Sequence, residues 1–294
     1  MYIVGAMDLF RRTASAFFSR GASALLRLAG WKRGVVYANL RHVSAAVPHV
    51  DSRTLYRSLI FNVTRHAGDL LFCFSTFKRL PADTASYPYR QGGLEFCLAE
   101  GAAPVLGKMR DGGVFLTAHY GNYEAIGPWL CRLGVPLVAS YIPVRPAWLN
   151  RILDKKIRAV DGRSYGVDAR TPREFLRLLD EGKLFCLLAD QDSRIPSALP
   201  GEFLGQNAKM NPLPDFLLKH RPGTPVYVCW LEERGNRRIL HAEEIHLRTS
   251  EKTRSAAIDE FNRWLEARIS ENPSLWYGFT HRRFYSVDSS IYSK

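Results

Sequence analysis

An α/β fold with a mainly parallel central sheet flanked by helices is predicted for this chain, and three features predict it. Short apolar runs, bounded by glycine or polar residues, recur between residues 114 and 243 and are typical of buried strands. Helical patterns alternate with these runs, as in a parallel sheet covered on both faces. The length of 294 residues, with 46% hydrophobic and 23% charged residues, is that of an ordinary globular chain and excludes a disordered or fibrous protein.

The first third of the chain is predicted to be helical. Residues 33–78 have the pattern of helices, and the turn at residues 48–51 opens the second of them. Residues 94–110 are expected to form another helix, because Asp111-Gly112-Gly113 follows as a stop signal. The later helices are expected at residues 123–133, 147–159, 171–181, 213–220 and 252–271.

The apolar runs predict five strands, at residues 114–118, 136–142, 184–189, 225–231 and 238–243. Residues 190–212 are rich in proline, glycine, serine and asparagine, which predicts a long loop with a functional role. In an open parallel sheet, the loops that follow the strands gather at one edge and hold the ligands. We therefore expect the chemistry of this protein at that edge.

The cysteines indicate a reduced protein that faces the cytosol. The sequence has no Cys-x-x-Cys pair and no Cys/His cluster, so neither a zinc site nor a disulfide framework is predicted. Cys73, Cys186 and Cys229 lie within apolar runs, where a free thiol behaves as a small apolar side chain. No metal and no other cofactor is expected.

The charge of the chain predicts an anionic partner. Lysine and arginine number 41 against 28 aspartate and glutamate residues, which gives a net charge of +13. Nucleic acid, an acidic protein and phosphorylated lipid are all compatible with such an excess. Nucleic-acid binding has no further support, because the sequence contains no known module and no aromatic stacking motif among the basic residues.

Residues 1–32 are predicted to form an amphipathic helix at a membrane interface. Residues 33–294 are predicted to form a single further domain. No uncharged apolar stretch is long enough to span a bilayer, because charged residues interrupt every candidate. A helix from Asp8 to Gly30 would separate a basic face from an apolar one, which suits the membrane surface. The alternative is that the apolar face packs against the protein's own core. That face would hold Phe10, Ala14, Phe17, Phe18, Gly21, Leu25 and Leu28, opposite Arg12, Arg20 and Arg27.

The best candidate for catalysis follows the first predicted strand of the sheet, in the segment His119-Tyr120-Gly121-Asn122-Tyr123-Glu124. A histidine at the end of a strand and a carboxylate five residues later can meet across a turn containing Gly121. Glu124 would then hold the imidazole tautomer of His119 and leave the other ring nitrogen to take a proton from a hydroxyl. The sequence has no nucleophile elbow of the Gly-x-Ser-x-Gly type, which favours direct attack by a substrate hydroxyl.

This segment resembles the HFGNWE-type motif of the bacterial lipid A biosynthesis late acyltransferases, within the glycerolipid (LPLAT) acyltransferase superfamily. The resemblance covers roughly residues 36–285, and further blocks are similar to that family in the same order. They are residues 38–50 (ANLRHVSAAVPHV), 145–163 (RPAWLNRILDKKIRAVDGR), 188–192 (LADQD), 203–226 (FLGQNAKMNPLPDFLLKHRPGTPV) and the ending that runs from Asn272-Pro273 through Trp276 to His281-Arg282-Arg283-Phe284.

The resemblance implies a glycerolipid-acyltransferase-like fold and an activity. Enzymes of this family move a fatty acyl chain from acyl carrier protein to a hydroxyl of a lipid A precursor, at the cytoplasmic face of the bacterial inner membrane. His119 and Glu124 match the catalytic residues of the family, and no metal or cofactor is implied. The sequence leaves acyl-CoA open as the donor. The expected partners are therefore the acyl donor, an anionic glycolipid or phospholipid acceptor and the membrane surface.

Four further residues are expected to contact substrate: Arg145, Asn122, Arg163 and Asp190. Arg145 follows a predicted strand and matches an arginine of the family's motif, which favours phosphate binding. Asp190 and Asp192 also follow a strand. Acidic residues are poor partners for an anionic lipid. A role in pinning Arg145 or the His119 loop through hydrogen bonds is therefore as compatible with these two aspartates as direct contact with substrate. Lys155 and Lys156 belong to the same basic run as Arg145 and are compatible with a solvated helix face.

The departures from the family pattern bear on the substrate. Asn150-Arg151 stands where the family has Asn-Pro, Ser193 to Pro196 replace the glycines after the Asp-Gln-Asp segment, and residues 208–210 also differ. A lysophospholipid or another glycolipid is therefore the alternative acceptor. An alternative of a different class is a non-catalytic peripheral membrane protein that binds lipid.

Overall fold

The computed structural model describes residues 2–47, 51–140, 145–156, 158–167, 171–248 and 256–293. The helices are α1 (Tyr2–Leu28), α2 (Arg33–His42), α3 (Ser52–Gly68), α4 (Phe74–Phe77), α5 (Ala102–Lys108), α6 (Ile126–Arg132), α7 (Ala147–Lys156), α8 (Pro172–Asp180), α9 (Leu213–His220) and α10 (Ala257–Glu271). The strands are β1 (Tyr89–Gln91), β2 (Leu94–Leu98), β3 (Gly113–Thr117), β4 (Leu137–Ser140), β5 (Ala159–Val160), β6 (Arg163–Ser164), β7 (Gly166–Val167), β8 (Leu184–Leu188), β9 (Leu199–Phe203), β10 (Gln206–Met210), β11 (Val226–Arg234) and β12 (Arg237–Ile245).

Eight of these strands form one central sheet in the order β1-β2-β12-β11-β3-β8-β4-β7. The stretch from β11 through β3, β8 and β4 to β7 is parallel, and β2 also lies parallel to β12. The two remaining pairings in this sheet, β1 with β2 and β11 with β12, are antiparallel. The prediction of an α/β fold with a mainly parallel central sheet is therefore confirmed.

Helices cover the sheet on both faces. Successive side chains of a strand point to opposite faces, and here each face has its own hydrophobic core. In β3, Val114 and Leu116 belong to the core on one face, whereas Phe115 belongs to the core on the other. Helix α10 contributes Phe261 to the first core, and α6 contributes Trp129 to the second. A strand buried on both faces reads as a continuous apolar run, which is why β3 was predictable.

Most predicted elements are present with shifted ends. The helical region 33–78 contains α2, α3, a π-helical turn at Asp69–Cys73 and α4, while residues 48–50 of its turn lie outside the described residues. The five predicted strands correspond to β3, β4, β8, β11 and β12, with residues 141 and 142 outside the described ones. The helices predicted at 123–133, 171–181, 213–220 and 252–271 correspond to α6, α8, α9 and α10, with residues 252–255 outside the described ones.

The helix predicted for residues 94–110 is wrong in its first half. Residues 94–98 form β2, and helix α5 begins only at Ala102. Leu94 and Phe96 are buried, whereas Glu95 between them is only partly covered, which is the two-residue period of a strand. Strand β2 pairs with β1 across a tight turn at Gly92-Gly93, a local signal that the helix prediction overlooked, and with β12, which lies far along the chain.

The long loop predicted for residues 190–212 contains a hairpin of β9 and β10. Its turn lies at Leu204-Gly205, where both residues have positive φ values, 51° and 69°. Two positive φ angles in succession define a tight hairpin turn, for which Asn-Gly is the usual sequence signal. Leucine at the first position conceals that signal. The helix predicted at 147–159 is also too long, since α7 ends at Lys156 and Ala159–Val160 is β5.

Helix α1 packs along α3 through small polar side chains. Asp8, Ser15, Ser19 and Ser23 are buried. The Ser15 hydroxyl donates to Oδ1 of Asp69 at 2.9 Å. Gly68 at the end of α3 permits the close approach, because a Cβ atom there would lie 2.7 Å from Oγ of Ser19. The polar side of this helix therefore faces the rest of the protein.

Candidate active site

The segment after β3 is held by the chain between residues 272 and 280. The backbone N–H of Tyr277 donates to the carbonyl of His119 at 2.8 Å, and the N–H of Gly121 donates to the carbonyl of Leu275 at 2.9 Å. Gly121 has a φ of +58°, a conformation that glycine adopts without strain. The backbone around His119 is thus fixed by hydrogen bonds to a distant part of the sequence.

Asp190 is the carboxylate that orients His119. Strands β3 and β8 are parallel neighbours, so the residues that follow their carboxyl ends, His119 and Asp190, meet at one edge of the sheet. Oδ1 of Asp190 lies 2.8 Å from Nδ1 of His119, and Oδ2 accepts the His119 backbone N–H at 3.0 Å. Oδ2 also accepts the indole N–H of Trp276 at 2.9 Å. Asp190 is fully buried at 0% exposure, so its carboxylate is satisfied by these three donors.

This arrangement leaves Nε2 of His119 as the ring nitrogen open to a substrate. With Nδ1–H donating to a carboxylate, Nε2 carries the lone pair that accepts a proton. The side chain of His119 is 16% exposed, and the amide Nε2 of Gln191 lies 3.4 Å from its Nε2. A histidine in this arrangement can accept a proton at Nε2, as a general base does.

The electrostatics of the pair favour the charged form of the histidine. Burial on its own lowers the pKa of His119, but the charge and hydrogen bond of Asp190, together with the charge of Glu124, outweigh burial and raise the pKa above its usual 6.5. Burial also acts to raise the pKa of Asp190, and the opposing charge and hydrogen bonds of His119 lower it overall. Asp190 therefore stabilises an imidazolium once His119 has taken a proton.

Glu124 does not take the orienting position that the sequence predicts. The hydrogen bond expected from Glu124 to the imidazole is made by Asp190 instead. Residues 123–125 form a 3₁₀ turn, and Glu124 lines a cavity of about 180 Å³ beside that turn. Burial raises the pKa of Glu124, while the charges of Arg158 and His119 oppose the rise. Glu124 thus acts on His119 through its field.

Asn122 is buried next to this cavity. Its side-chain nitrogen Nδ2 has no hydrogen-bond partner in the described part of the protein, although Asn122 is only 4% exposed. The same cavity is lined by Glu124, His66 and Tyr277. An orphaned buried amide beside an open cavity is a donor available to a bound molecule. This position is compatible with the predicted substrate contact.

The basic residues predicted for the site are solvent-exposed. Arg145 lies just before α7, and Arg163 lies in β6, paired with Val160 of β5. No ion pair of either arginine is found within the described residues. Lys155 is exposed on α7, and the side chain of Lys156 lies outside the described ones. The substrate contacts predicted for Arg145 and Arg163 stay predictions.

Asp190 and Asp192 differ in their contacts. Of the two roles left open for Asp190, the structure has it pinning the His119 loop. Asp192 instead lies 3.2 Å from Nε of Arg194 and accepts the backbone N–H of Ser286 at 3.1 Å. The expectation that an aspartate of this segment pins Arg145 finds no contact among the described residues.

A second histidine–carboxylate pair behind the site was missed by the sequence analysis. Nε2 of His66 lies 2.9 Å from Oε2 of Glu233, and the other ring nitrogen contacts the hydroxyl of Tyr277. Arg65 and Arg238 also pair with Glu233. His66 lies on α3 and Glu233 at the end of β11, so no spacing in the sequence joins them. The network becomes visible only in the fold, where these polar side chains are buried together.

Neither a membrane-spanning helix nor a metal site is found among the described residues. Across the described ranges, no helix is both long and apolar enough to cross a bilayer. In the same ranges, no three histidine, cysteine or acidic side chains converge in a way that would hold a metal ion. No protein-family model and no curated protein matches this chain.

Proposed function

We propose that this protein is a membrane-associated acyltransferase that moves a fatty acyl chain from a thioester donor to a hydroxyl of a lipid A precursor or related glycolipid. The observation that carries the proposal is the His119–Asp190 pair, in which a buried carboxylate holds Nδ1 and leaves Nε2 open at the carboxyl edge of a parallel sheet. The resemblance of the segment 119–124 to the late acyltransferase motif supports the same reading.

The chemistry follows from the position of the two nitrogens of His119. Nε2 removes the proton of the acceptor hydroxyl as its oxygen attacks the thioester carbonyl carbon. The tetrahedral intermediate collapses, the C–S bond breaks, and the imidazolium returns its proton to the departing thiolate. Asp190 stabilises the imidazolium between these steps, and the charge of Glu124 adds to that effect.

The donor is an acyl thioester of acyl carrier protein or of coenzyme A. Both are anionic, and a net charge of +13 attracts either. The acceptor is an anionic glycolipid, with a lysophospholipid as the alternative.

The outer side of α1 supports a membrane partner, and the family resemblance implies the cytoplasmic face of a bacterial inner membrane. Phe10, Phe17 and Leu28 are 73%, 72% and 85% exposed. Leu9, Phe18 and Leu25 add to the same set of exposed apolar side chains. Contiguous exposed apolar surface of this kind marks an interaction site, and aromatic residues on a helix with basic neighbours suit the headgroup boundary of a bilayer.

A transfer assay tests the proposal. The purified protein is incubated in detergent or vesicles with acyl carrier protein thioester or acyl-CoA, and lipid A precursor or lysophospholipid is supplied as acceptor. We expect mass spectrometry to detect an acylated acceptor, and His119→Ala to lower turnover by about 10²–10⁴, the usual worth of a positioned general base. Near-normal transfer by a folded His119→Ala protein would exclude His119 as the base.

A non-catalytic lipid-binding protein is the second candidate, because the exposed face of α1 alone is enough to bind a bilayer. In that case vesicle binding would persist with no turnover on any acceptor, and His119→Ala would leave binding unchanged. The same assay therefore separates the two classes.

A further inference from the structure

We infer that a cleft lined by four arginines, between the end of α1, α2 and the start of α3, binds the phosphate of an anionic membrane lipid. Arg27, Arg33, Arg53 and Arg57 line this cleft together with Tyr37 and Tyr56, and its volume is about 510 Å³. The inference rests on the membrane association proposed above and not on acyl transfer.

Among the described residues, the four guanidinium groups have no salt-bridge partner. Within the described residues, none of the four forms an ion pair with a carboxylate, and the one side-chain hydrogen bond they make there joins Nε of Arg27 to the Ser23 carbonyl at 3.1 Å. Other arginines of the same helices are paired, as Arg11 is with Asp8 and Arg65 with Glu233. Like charges around one cleft repel each other, so an anion is needed to neutralise them.

Asp51, whose pKa is affected by the charge of Arg53, already accepts hydrogen bonds from Thr54. The charge of Arg53 contributes to the lowered pKa of Asp51, but hydrogen bonds from Thr54 are the larger causes. Oδ2 of Asp51 accepts both the backbone N–H and the hydroxyl of Thr54, each at 2.8 Å. Asp51 therefore caps α3 and does not fill the cleft.

The chemistry of the lining favours phosphate. Guanidinium groups bind phosphate oxygens through paired N–H donors, which a single ammonium group cannot do. The walls are aromatic, with Tyr37 and Tyr56 packed edge to face at a centroid distance of 5.9 Å. The Tyr56 hydroxyl donates to the carbonyl of Trp31 at 2.9 Å, so this wall is fixed before any ligand binds.

The position of the cleft favours a lipid phosphate over a soluble one. Leu28 lines the cleft and is also one of the most exposed apolar side chains of α1, with Leu25 exposed one turn earlier. Apolar side chains that enter the acyl region place the arginines beside them at the level of the headgroups. Arg27 and Arg57 also line a larger cavity of about 830 Å³ that reaches Tyr120 and Gly121 next to His119.

Vesicle binding tests the inference. The full chain is sedimented with phosphatidylcholine vesicles that contain or lack phosphatidic acid. We expect the phosphatidic acid to tighten binding, and Arg53→Gln/Arg57→Gln to weaken the affinity about thirtyfold, since each basic residue near an anionic surface contributes about fivefold. The control is Arg173→Gln/Lys219→Gln, which removes the same charge from exposed positions on α8 and α9. Circular dichroism confirms that each variant is folded.

Each outcome bears on a defined claim. Equal losses in the two double variants would mean that binding follows net charge, and would overturn the cleft. A different result would be that inorganic phosphate raises the melting temperature of the parent more than vesicles do, and that Arg53→Gln/Arg57→Gln loses this effect. That result would assign the cleft to a soluble phosphate and overturn the lipid as its ligand. Failure of the parent to bind vesicles of either kind would overturn membrane association itself, whereas equal binding to both kinds would overturn the cleft alone.

Discussion

Asp190 does for His119 what a local carboxylate was expected to do, and it does so from the end of a neighbouring strand. Its two oxygens bind the ring, the backbone and an indole at once, so the ring has little freedom to rotate. A carboxylate five residues away on a turn would depend on the conformation of that turn. Because the two residues follow neighbouring strands, the orientation of the His119 ring is a property of the sheet.

Replacing Asp190 by asparagine is expected to change both rate and pH dependence. Because the pKa of His119 is raised above 6.5, activity requires the pH to exceed that raised value, and kcat/KM falls as the pH drops through it. Asp190→Asn removes the charge, so the acidic limb moves to lower pH while turnover falls by about 10²–10⁴. The pH profile of kcat/KM with a defined acceptor measures both effects.

Two matched variants sharpen this prediction. Asp192→Asn removes a neighbouring carboxylate that contacts Arg194 and Ser286 instead of His119, and the limb should stay in place. Glu124→Gln should lower activity and move the limb less than Asp190→Asn does, because its charge is the smallest of the causes that raise the pKa of His119. A larger shift with Glu124→Gln would return the orienting role to Glu124.

Among the secondary-structure elements, α3 is tied to the hairpin of β11 and β12 by Glu233. That carboxylate receives His66 and Arg65 from the helix and Arg238 from β12. Burial acts to raise the pKa of Glu233, but these partners lower it well below its usual 4.5. A carboxylate held in this way links two elements that share no local sequence.

Glu233→Gln is expected to lower the free energy of unfolding by about 1–3 kcal/mol at neutral pH, because the partly exposed Arg65 and Arg238 lose a buried carboxylate as their partner. The stabilisation by Glu233 is fully present above pH 4.5 and is lost as the pH falls through the lower pKa of the folded state. The difference between parent and variant should therefore shrink in acid. Denaturant unfolding over a pH series measures it, and a difference independent of pH would contradict this account.

Helix α1 has its polar side buried and its apolar side exposed, so substitutions on the two sides should have opposite consequences. Phe10→Ser/Phe17→Ser changes exposed positions, so the unfolding free energy should change by about 0.5 kcal/mol or less for each, while vesicle binding weakens strongly. Gly68→Ala brings a Cβ atom to 2.7 Å from Oγ of Ser19, which should destabilise the fold by about 1–3 kcal/mol. Thermal unfolding and vesicle sedimentation, measured on both variants, test the contrast.

The same helix explains part of what the sequence could predict. Its apolar stripe was readable because the spacing of Phe10, Phe17 and Leu25 is local. The sequence did not show which side of α1 packs against the rest of the protein, because a stripe of serines and an aspartate is equally typical of a solvent-exposed face. Strand β3 was predictable from its own apolar run, whereas the place of β2 inside the sheet depends on its distant neighbour β12 as well as on its hairpin with β1. The pairing of His119 with Asp190 likewise required the order of β3 and β8 in the sheet.

For the molecule as a whole, the net charge of +13 should speed the encounter with anionic donors and acceptors. The screening length falls from about 30 Å at 0.01 M salt to about 8 Å at 0.15 M, so the association rate with acidic carrier protein should fall over that range. Stopped-flow association at several salt concentrations measures how steeply the rate falls.

Arg145→Lys keeps the charge of Arg145 but loses its paired N–H donors. If Arg145 binds a phosphate, this variant should have a weaker apparent affinity for a phosphorylated acceptor at every salt concentration. Acceptor titrations at low and near-physiological salt measure that affinity. Equality with the parent at every concentration would remove Arg145 from the site.

The hold of the 272–280 segment on the His119 loop also sets an order of events during translation. The ribosome makes His119 and Asp190 well before Trp276 and Tyr277, which supply the indole hydrogen bond and the backbone clamp. The hydrogen bonds that fix the His119 segment can therefore form only after residue 277 has left the ribosome. Helices α1 and α3 have left the exit tunnel by then, so their packing against each other can precede the contacts that hold His119.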